Sequence, residues 1–227
     1  MKKNITFLGI YIMSILAFFS CDNQKEKKWI DEYCENELRL IEPEKKPIFD
    51  IKLNSQPDSI FNILEKELKG NFCYTTKTFG IKIENFPIKV SVFKECNNGS
   101  LRFPSKTTII INNKSQILIN NESIIELNEL SKNISEILSH STNKKYDWTN
   151  RIDIYWAKEM NLKEINFIIK SIIKGYILET RKYSKKVFKK EIFELNGQEI
   201  IEIKKQFPFN LELGTLTERF QYIIEDE

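Results

Sequence analysis

Apolar residues recur three or four positions apart in four stretches of the chain, and this spacing predicts amphipathic helices. Prolines or glycines follow several of them as stop signals, namely Pro43 and Pro47 after the first, Gly70 after the second and Gly175 after the fourth. Asn161 with Glu164 forms a capping-box pattern at the start of the fourth helix. The predicted helices are 29–41, 57–69, 127–138 and 161–174.

Between residues 72 and 118 the apolar period changes to two, which predicts antiparallel strands. The alternating pairs and triplets are Ile81/Ile83, Ile88/Val90/Val92, Ile109/Ile111 and Ile117/Ile119. Asn97-Asn98-Gly99 and Asn112-Asn113-Lys114 supply turn residues between them. Shorter strand patterns stand at 49–53, 152–156 and 176–178. We therefore expect an α+β fold with a mixed or antiparallel sheet and helices packed on one face.

The last part of the chain, 182–227, has no single pattern. It fits either a helix that stops at Asn196-Gly197 or a hairpin that turns at this dipeptide. The chain divides by pattern into an N-terminal α+β part (29–106), a module (107–181) and this C-terminal extension (182–227). Both secondary-structure alternatives for the extension stay open at the level of sequence.

The first twenty residues have the order of a secretory signal peptide. Lys2 and Lys3 form its basic start, and the apolar run Ile5 to Phe19 is shorter than the roughly 20 residues of a membrane span. The polar sequence that begins at Cys21 ends this run abruptly. We expect residues 1–20 to be removed on export.

The residues Leu16-Ala17-Phe18-Phe19-Ser20-Cys21 resemble the lipobox of bacterial lipoproteins. Phe18 stands where leucine is usual in that family, and Phe19 where a small residue is usual. The resemblance implies that Cys21 carries a lipid and that 21–28 is a tether to a membrane, inner or outer. The body would then lie in the periplasm or at the cell surface.

Export permits disulfides, and with Cys21 lipidated three cysteines remain in the chain. Cys73 and Cys96 fall on neighbouring strand-like segments, so a bridge between them is one hypothesis. Free, buried or partly exposed thiols are the other interpretation.

Composition supports a folded body, since 41% of the 227 residues are hydrophobic and 30% are charged. The formal net charge is +3, and removal of Lys2 and Lys3 with the signal leaves the mature chain nearly neutral. A nearly neutral protein has no strong attraction to nucleic acid, so we expect no nucleic-acid partner.

The run 107–181 contains TTIIINNKSQILINNESIIELNELSKNISEIL followed by RIDIYWAKEMNLKEINFIIKSIIKGYILE. This order of strands and helices resembles the periplasmic domain of the ExbD/TolR family, and it implies a small α/β module that ends in a strand at Gly175–Leu178. The run Ile5–Phe19 lacks the acidic membrane residue with which that family couples protons. The resemblance therefore implies a partner-binding or scaffold role only.

Candidate catalytic residues are scarce in the sequence. His140 is the only histidine, and the pattern places it in a polar loop at 139–145. The chain has no Cys-x-x-Cys, no paired-histidine helix, no cation-binding acidic loop and no glycine-rich phosphate loop. We expect no enzyme activity, no metal and no cofactor.

The densest basic stretch runs from 182 to 190 and interleaves lysines with aromatic residues. Its cations are Lys182, Lys185, Lys186, Lys189 and Lys190. One interpretation is a solvated helix face, and the other is contact with an anionic lipid or wall polymer.

These observations favour a lipid-anchored bacterial envelope protein that binds another envelope protein or a wall polymer without catalysis. A periplasmic inhibitor, or immunity protein, against a toxin is the first alternative. An envelope hydrolase whose site forms only in three dimensions is the second.

Overall fold

The computed structural model describes residues 28–51, 53, 57–67, 69, 76–92, 107–112, 114, 116–120, 123–141, 151–157 and 160–214. The chain divides into two units, residues 1–32 and residues 33–227. In the first unit the described part is a 3-10 turn, Trp29–Glu32, in which the backbone N–H of Lys28 donates to the Asp31 carboxylate (3.1 Å). The elements below all belong to the second unit.

The described part of the second unit contains five α-helices and one further 3-10 turn, Ile192–Glu194. The helices are α1 (Glu35–Ile41), α2 (Pro57–Glu67), α3 (Leu130–Ser141), α4 (Leu162–Val187) and α5 (Gly197–Gln206). Among the described helices, none combines the length and apolarity that a membrane crossing requires.

Eight described strands form one mixed sheet in the order β1-β2-β3-β8-β7-β4-β5-β6. The strands are β1 (Ile48–Phe49), β2 (Lys77–Ile83), β3 (Phe86–Val92), β4 (Thr107–Ile111), β5 (Ile117–Ile119), β6 (Ser123–Ile125), β7 (Arg151–Trp156) and β8 (Asn210–Leu213). The central strands β3, β8, β7 and β4 run parallel, as do β1 and β2, whereas the hairpins β2–β3 and β4–β5 and the pair β5–β6 are antiparallel. The predicted α+β class with a mixed sheet is confirmed.

The period-two pattern identified the buried face of the sheet correctly. Its alternating residues in β2, β3, β4 and β5 are all buried, with at most 6% of any side chain exposed. The predicted turn between β4 and β5 is also present, because the Asn112 side chain accepts from the backbone N–H groups of Lys114 (3.0 Å) and Gln116 (2.9 Å). The turn predicted at 97–99 lies outside the described residues.

Two of the four predicted helix starts, at 57 and 161, agree with the structure to within one residue, and one predicted end, at 41, agrees. Asn161 caps α4 as predicted, with its side chain accepting from the Glu164 N–H (3.0 Å) while Glu164 reaches back to the Asn161 N–H. The first predicted helix, 29–41, is broken instead: a 3-10 turn ends at Glu32, and Cys34 is the N-cap of α1.

Gly175 was predicted to end a helix and to precede a strand at 176–178, and both expectations are wrong. Helix α4 continues through these residues to Val187. The reason lies in packing: a Cβ at Gly175 would stand 2.5 Å from the Ser131 carbonyl oxygen and 2.7 Å from Ile134 Cβ. Glycine is needed here for the close approach of α3 to α4, so it is no stop signal. The strand that the ExbD/TolR resemblance placed at Gly175–Leu178 is consequently helix.

We expect Gly175→Ala to lower the free energy of unfolding by about 1–3 kcal/mol, because overpacking at a rigid backbone contact outweighs the gain in helix propensity. Urea unfolding measures the loss. Gly197→Ala is the matched control, since nothing lies within 4 Å of the added methyl group in the first turn of α5. Equal unfolding midpoints for the two variants would contradict the close-packing explanation.

The C-terminal extension follows neither of its two predicted patterns. Asn196-Gly197 begins a helix, because the Asn196 side chain accepts from the N–H groups of Gln198 (2.9 Å) and Glu199 (3.0 Å). Helix α5 then leads to β8, which enters the sheet between β3 and β7. The asparagine acts as an N-cap, the role for which its short acceptor side chain is well suited.

Candidate functional site

A cleft of about 330 Å³ lies where the end of α1 and the turn after it meet β2, β3 and α5. We call it the lysine cleft. Its charged lining residues are Glu42, Glu44, Lys46, Lys89 and Lys204, and its apolar ones are Leu40, Pro43, Pro208 and Phe209, with Thr78 beside them.

Gly80 allows this cleft to form. It pairs with Ile48 of β1 and with Lys89 of β3, and a Cβ at this position would stand 2.8 Å from Pro43 Cγ. Because glycine has no side chain, Pro43 can lie directly against the sheet. The turn that follows Pro43 thereby brings Glu44 close to the sheet and to α5.

Glu44 and Lys204 form an ion pair across the cleft. The hydrogen bond from Lys204 is the main reason that the pKa of the Glu44 carboxyl lies below its ordinary value, and Lys89 lowers it further by its charge. The charge of Arg39 on α1 acts in the same direction, so cations from three separate elements, α1, β3 and α5, favour the ionised carboxylate.

Lys89 is the lysine of the cleft that is partly buried and yet has no direct partner among the described residues. Its side chain is partly buried, and among the described residues it makes no hydrogen bond and no ion pair. Burial lowers the pKa of its ammonium group below the ordinary lysine value, repulsion from Lys204 lowers it more, and attraction to Glu44 acts in the opposite direction. Such a charge has lost hydrating water without gaining a direct partner, so an anion that binds beside it stabilises it.

A second polar group lies on the central strands. Asp153 of β7 is fully buried, and Arg151 donates to both of its carboxylate oxygens, at 2.8 and 3.2 Å. The other arm of the same guanidinium lies 3.6 Å from the Glu212 carboxylate. We call Arg151, Asp153 and Glu212 the buried charge cluster.

The strand register extends this cluster into a polar row across the sheet. Glu212 pairs with Asp153 on one side and with Ser91 on the other, while Asp153 pairs with Thr108 and Ser91 pairs with Thr78. Directly paired residues point to the same face of a sheet. Five polar side chains therefore share one face of five neighbouring strands, and Thr78 at the end of the row lines the lysine cleft.

No protein-family model, curated protein or solved structure matches this chain. The resemblances to lipoproteins and to the ExbD/TolR module therefore stay hypotheses that rest on the quoted residues.

The cysteines that carried sequence predictions lie outside the described residues. This holds for Cys21, the predicted lipid site, and for Cys73 and Cys96, the predicted disulfide, so both assignments stay predictions. Cys34 is a free thiol at the start of α1. Burial is the main cause that raises its pKa, which makes it a poor nucleophile.

The basic stretch is largely compensated by acids. Lys182 pairs with Glu179 (3.2 Å), Lys185 with Glu191 (2.8 Å) and Lys190 with Glu199 (2.6 Å). Lys186 and Lys189 are exposed and form no ion pair with described residues. The contact of this stretch with an anionic surface stays a prediction. Two of its five lysines have no described acidic partner and are available for such a contact.

His140 does not lie in the predicted loop. It stands in the last turn of α3, exposed, with Nδ1 2.7 Å from the Glu136 carbonyl oxygen. The polar residues at 139–141 continue the helix because they follow an amphipathic stripe whose apolar side is already buried. In the part of the chain that the structure describes, no group of three or more histidine, cysteine or acidic side chains could hold a metal ion.

Little in the sequence distinguished the residues of the lysine cleft from ordinary surface residues. Lys89 alternates with the buried Ile88 and Val90 and was indistinguishable from an ordinary outward-facing residue of a strand. Lys204 lies more than a hundred positions later, on a helix whose start was not recognised. Gly80 was the one available clue, because a glycine inside a strand pattern indicates a close approach of backbone or ligand.

Proposed function

We propose that this chain is a lipid-anchored bacterial cell-envelope protein that binds an anionic group of another envelope protein or of a wall polymer in the lysine cleft. Lys89 is the observation that carries the proposal. It is a partly buried cation that lines a cleft and forms no ion pair with described residues.

Electrostatics supports an anionic ligand. The cleft is lined by three lysines and two glutamates, and only one of these lysines, Lys204, is paired with a glutamate of the cleft. Lysine ammonium groups act as compact point charges that bind carboxylates and phosphates alike. An anion beside Lys89 would restore the charge interactions that the ammonium lost on burial.

The anchor part of the proposal rests on the sequence at Ser20-Cys21. Two or three acyl chains on one cysteine hold a protein at a bilayer almost irreversibly, because each buried methylene contributes about 0.8 kcal/mol. The tether 21–28 would leave the body free to reach partners near that membrane.

The proposal includes no catalytic step. Paired carboxylates can act as a general acid and base, and Asp153 and Glu212 are neighbours in the sheet. Asp153, however, is fully buried, and both of its carboxylate oxygens accept hydrogen bonds from Arg151 in an ion pair. This arrangement supports a structural role for the buried charge cluster.

The experiment compares Lys89→Met with the unmodified full chain. Binding is measured by microscale thermophoresis against two probes, a glutamate-rich decapeptide and muropeptides with free stem-peptide carboxylates. We expect Lys89→Met to weaken binding of at least one probe about tenfold, the effect of one lost charge-assisted hydrogen bond.

Lys82→Met is the matched control, because Lys82 is an exposed lysine on the neighbouring strand β2 and does not line the cleft. It removes the same charge and should leave the affinity unchanged. Binding of neither probe, or an equal loss in both variants, would count against the lysine cleft as the binding site.

A further inference from the structure

The lysine cleft already holds one carboxylate, that of Glu44. Lys204 donates a hydrogen bond to it, and Lys89 lines the same cleft without a direct contact to it. The charge of Lys89 also lowers the pKa of the Glu44 carboxyl. The position beside Lys204 in this cleft therefore accepts a carboxylate.

Glu44 is also able to leave that position at low cost. It stands in a tight turn closed by the Lys46 N–H to the Pro43 carbonyl (2.8 Å), in which Lys45 adopts a left-handed φ of 53°. Its side chain is 68% exposed. Rotation of an exposed side chain into water needs no change in the backbone, and an exposed ion pair contributes little to stability.

We infer that the lysine cleft binds a monocarboxylate ligand, which displaces the Glu44 carboxylate from Lys204 and gains Lys89 as a second cation. The inference rests on the proposed function and narrows its ligand class. Glu44 acts in it as an internal competitor that sets the affinity of the cleft.

The lining favours a carboxylate with a small apolar group over phosphate. Glu42 and Glu44 both lie at the cleft, and their negative charges repel a dianion more strongly than a monoanion. Leu40, Pro208 and Phe209 offer apolar surface beside the lysines. The described lining includes no arginine, the residue that matches phosphate oxygens in pairs.

The test uses N-acetyl-leucine as the monocarboxylate, with N-acetyl-leucinamide as the uncharged control and inorganic phosphate as the competing anion. Binding is followed on the full chain by NMR of carbon-13-labelled lysine ε-methylene groups. We expect N-acetyl-leucine to bind more tightly than phosphate, and the amide not to bind.

Glu44→Gln removes the competitor and should tighten N-acetyl-leucine binding about three-fold. Glu42→Gln is the matched control, because it removes the same charge from the same cleft without breaking the ion pair to Lys204. It should change the affinity less than about two-fold. Binding should also weaken as the pH rises through the lowered pKa of Lys89, since only its ammonium form attracts the ligand.

Equal effects of Glu44→Gln and Glu42→Gln would overturn the displacement, and phosphate binding as tightly as N-acetyl-leucine would overturn the ligand class. No binding of N-acetyl-leucine would overturn the inference as a whole. The proposed function is judged separately, by the acidic peptide and the muropeptides with Lys89→Met. A cleft that binds those probes but not N-acetyl-leucine would keep the function and reject the inference.

Discussion

Replacement of Arg151 by leucine is expected to lower the free energy of unfolding by about 3–5 kcal/mol. The guanidinium is bound to Asp153, which has no exposed surface, and lies against Glu212, which is 4% exposed. Without the arginine, two neighbouring carboxylates on adjacent strands would stay buried with their main cation removed. Urea unfolding followed by circular dichroism measures the loss.

Arg39→Leu is the control for this prediction, because Arg39 is exposed and, among the described residues, its guanidinium makes one long hydrogen bond, 3.5 Å, to Asn36. We expect a change within about 0.5 kcal/mol. The double variant Arg151→Leu/Asp153→Asn no longer has the Asp153 charge that Arg151→Leu leaves without its arginine. Its loss in free energy of unfolding should therefore be smaller than the sum of the losses in the two single variants. Additive losses would show that the arginine stabilises the sheet by packing alone.

The second large effect is expected from Cys21→Ala, which should move nearly all of the protein from the membrane to the soluble fraction. The proposed lipid is attached at this thiol, and alanine cannot accept it. The distribution is measured by ultracentrifugation after carbonate extraction. Mass spectrometry of the N-terminal peptide of the protein without the substitution should show the acyl chains on Cys21.

Ser20→Ala is the matched control, because it retains a small residue before the cysteine and should leave the protein on the membrane. An unmodified Cys21 thiol in the mature protein would refute the lipid anchor. The cleft experiments would be unaffected by that result, since the described residues that line the lysine cleft all lie between 40 and 209.

Local patterns were sufficient wherever the physical cause is local. The alternation of Ile88, Val90 and Val92 identified the buried face of β3, and the Asn161/Glu164 capping box identified the first residue of α4. In both cases the decisive interactions join residues close together in the chain or repeat along one element. The α+β class followed from the same patterns.

The same signals failed where a distant element decides their meaning. Gly175 has the low helix propensity of a stop, yet it lies in mid-helix because α3 packs against its missing side chain. Asn196-Gly197 suits both a turn and a helix start. It starts a helix here because helix α5 buries Ile200 and Ile203, and their burial depends on the rest of the fold.

The sequence by itself determined the α+β class and the buried faces of most elements. The signal peptide and Cys21 as its lipid site are predictions from the same sequence. Only the tertiary structure decided that β8 enters the sheet between β3 and β7 and that Arg151 lies between two buried acids. It also decided that Glu44, Lys89 and Lys204, from a turn, a strand and a helix, share one cleft. The reason is physical: periodicity records the environment of each residue along its own element, whereas a binding site depends on distances between elements that no local pattern contains.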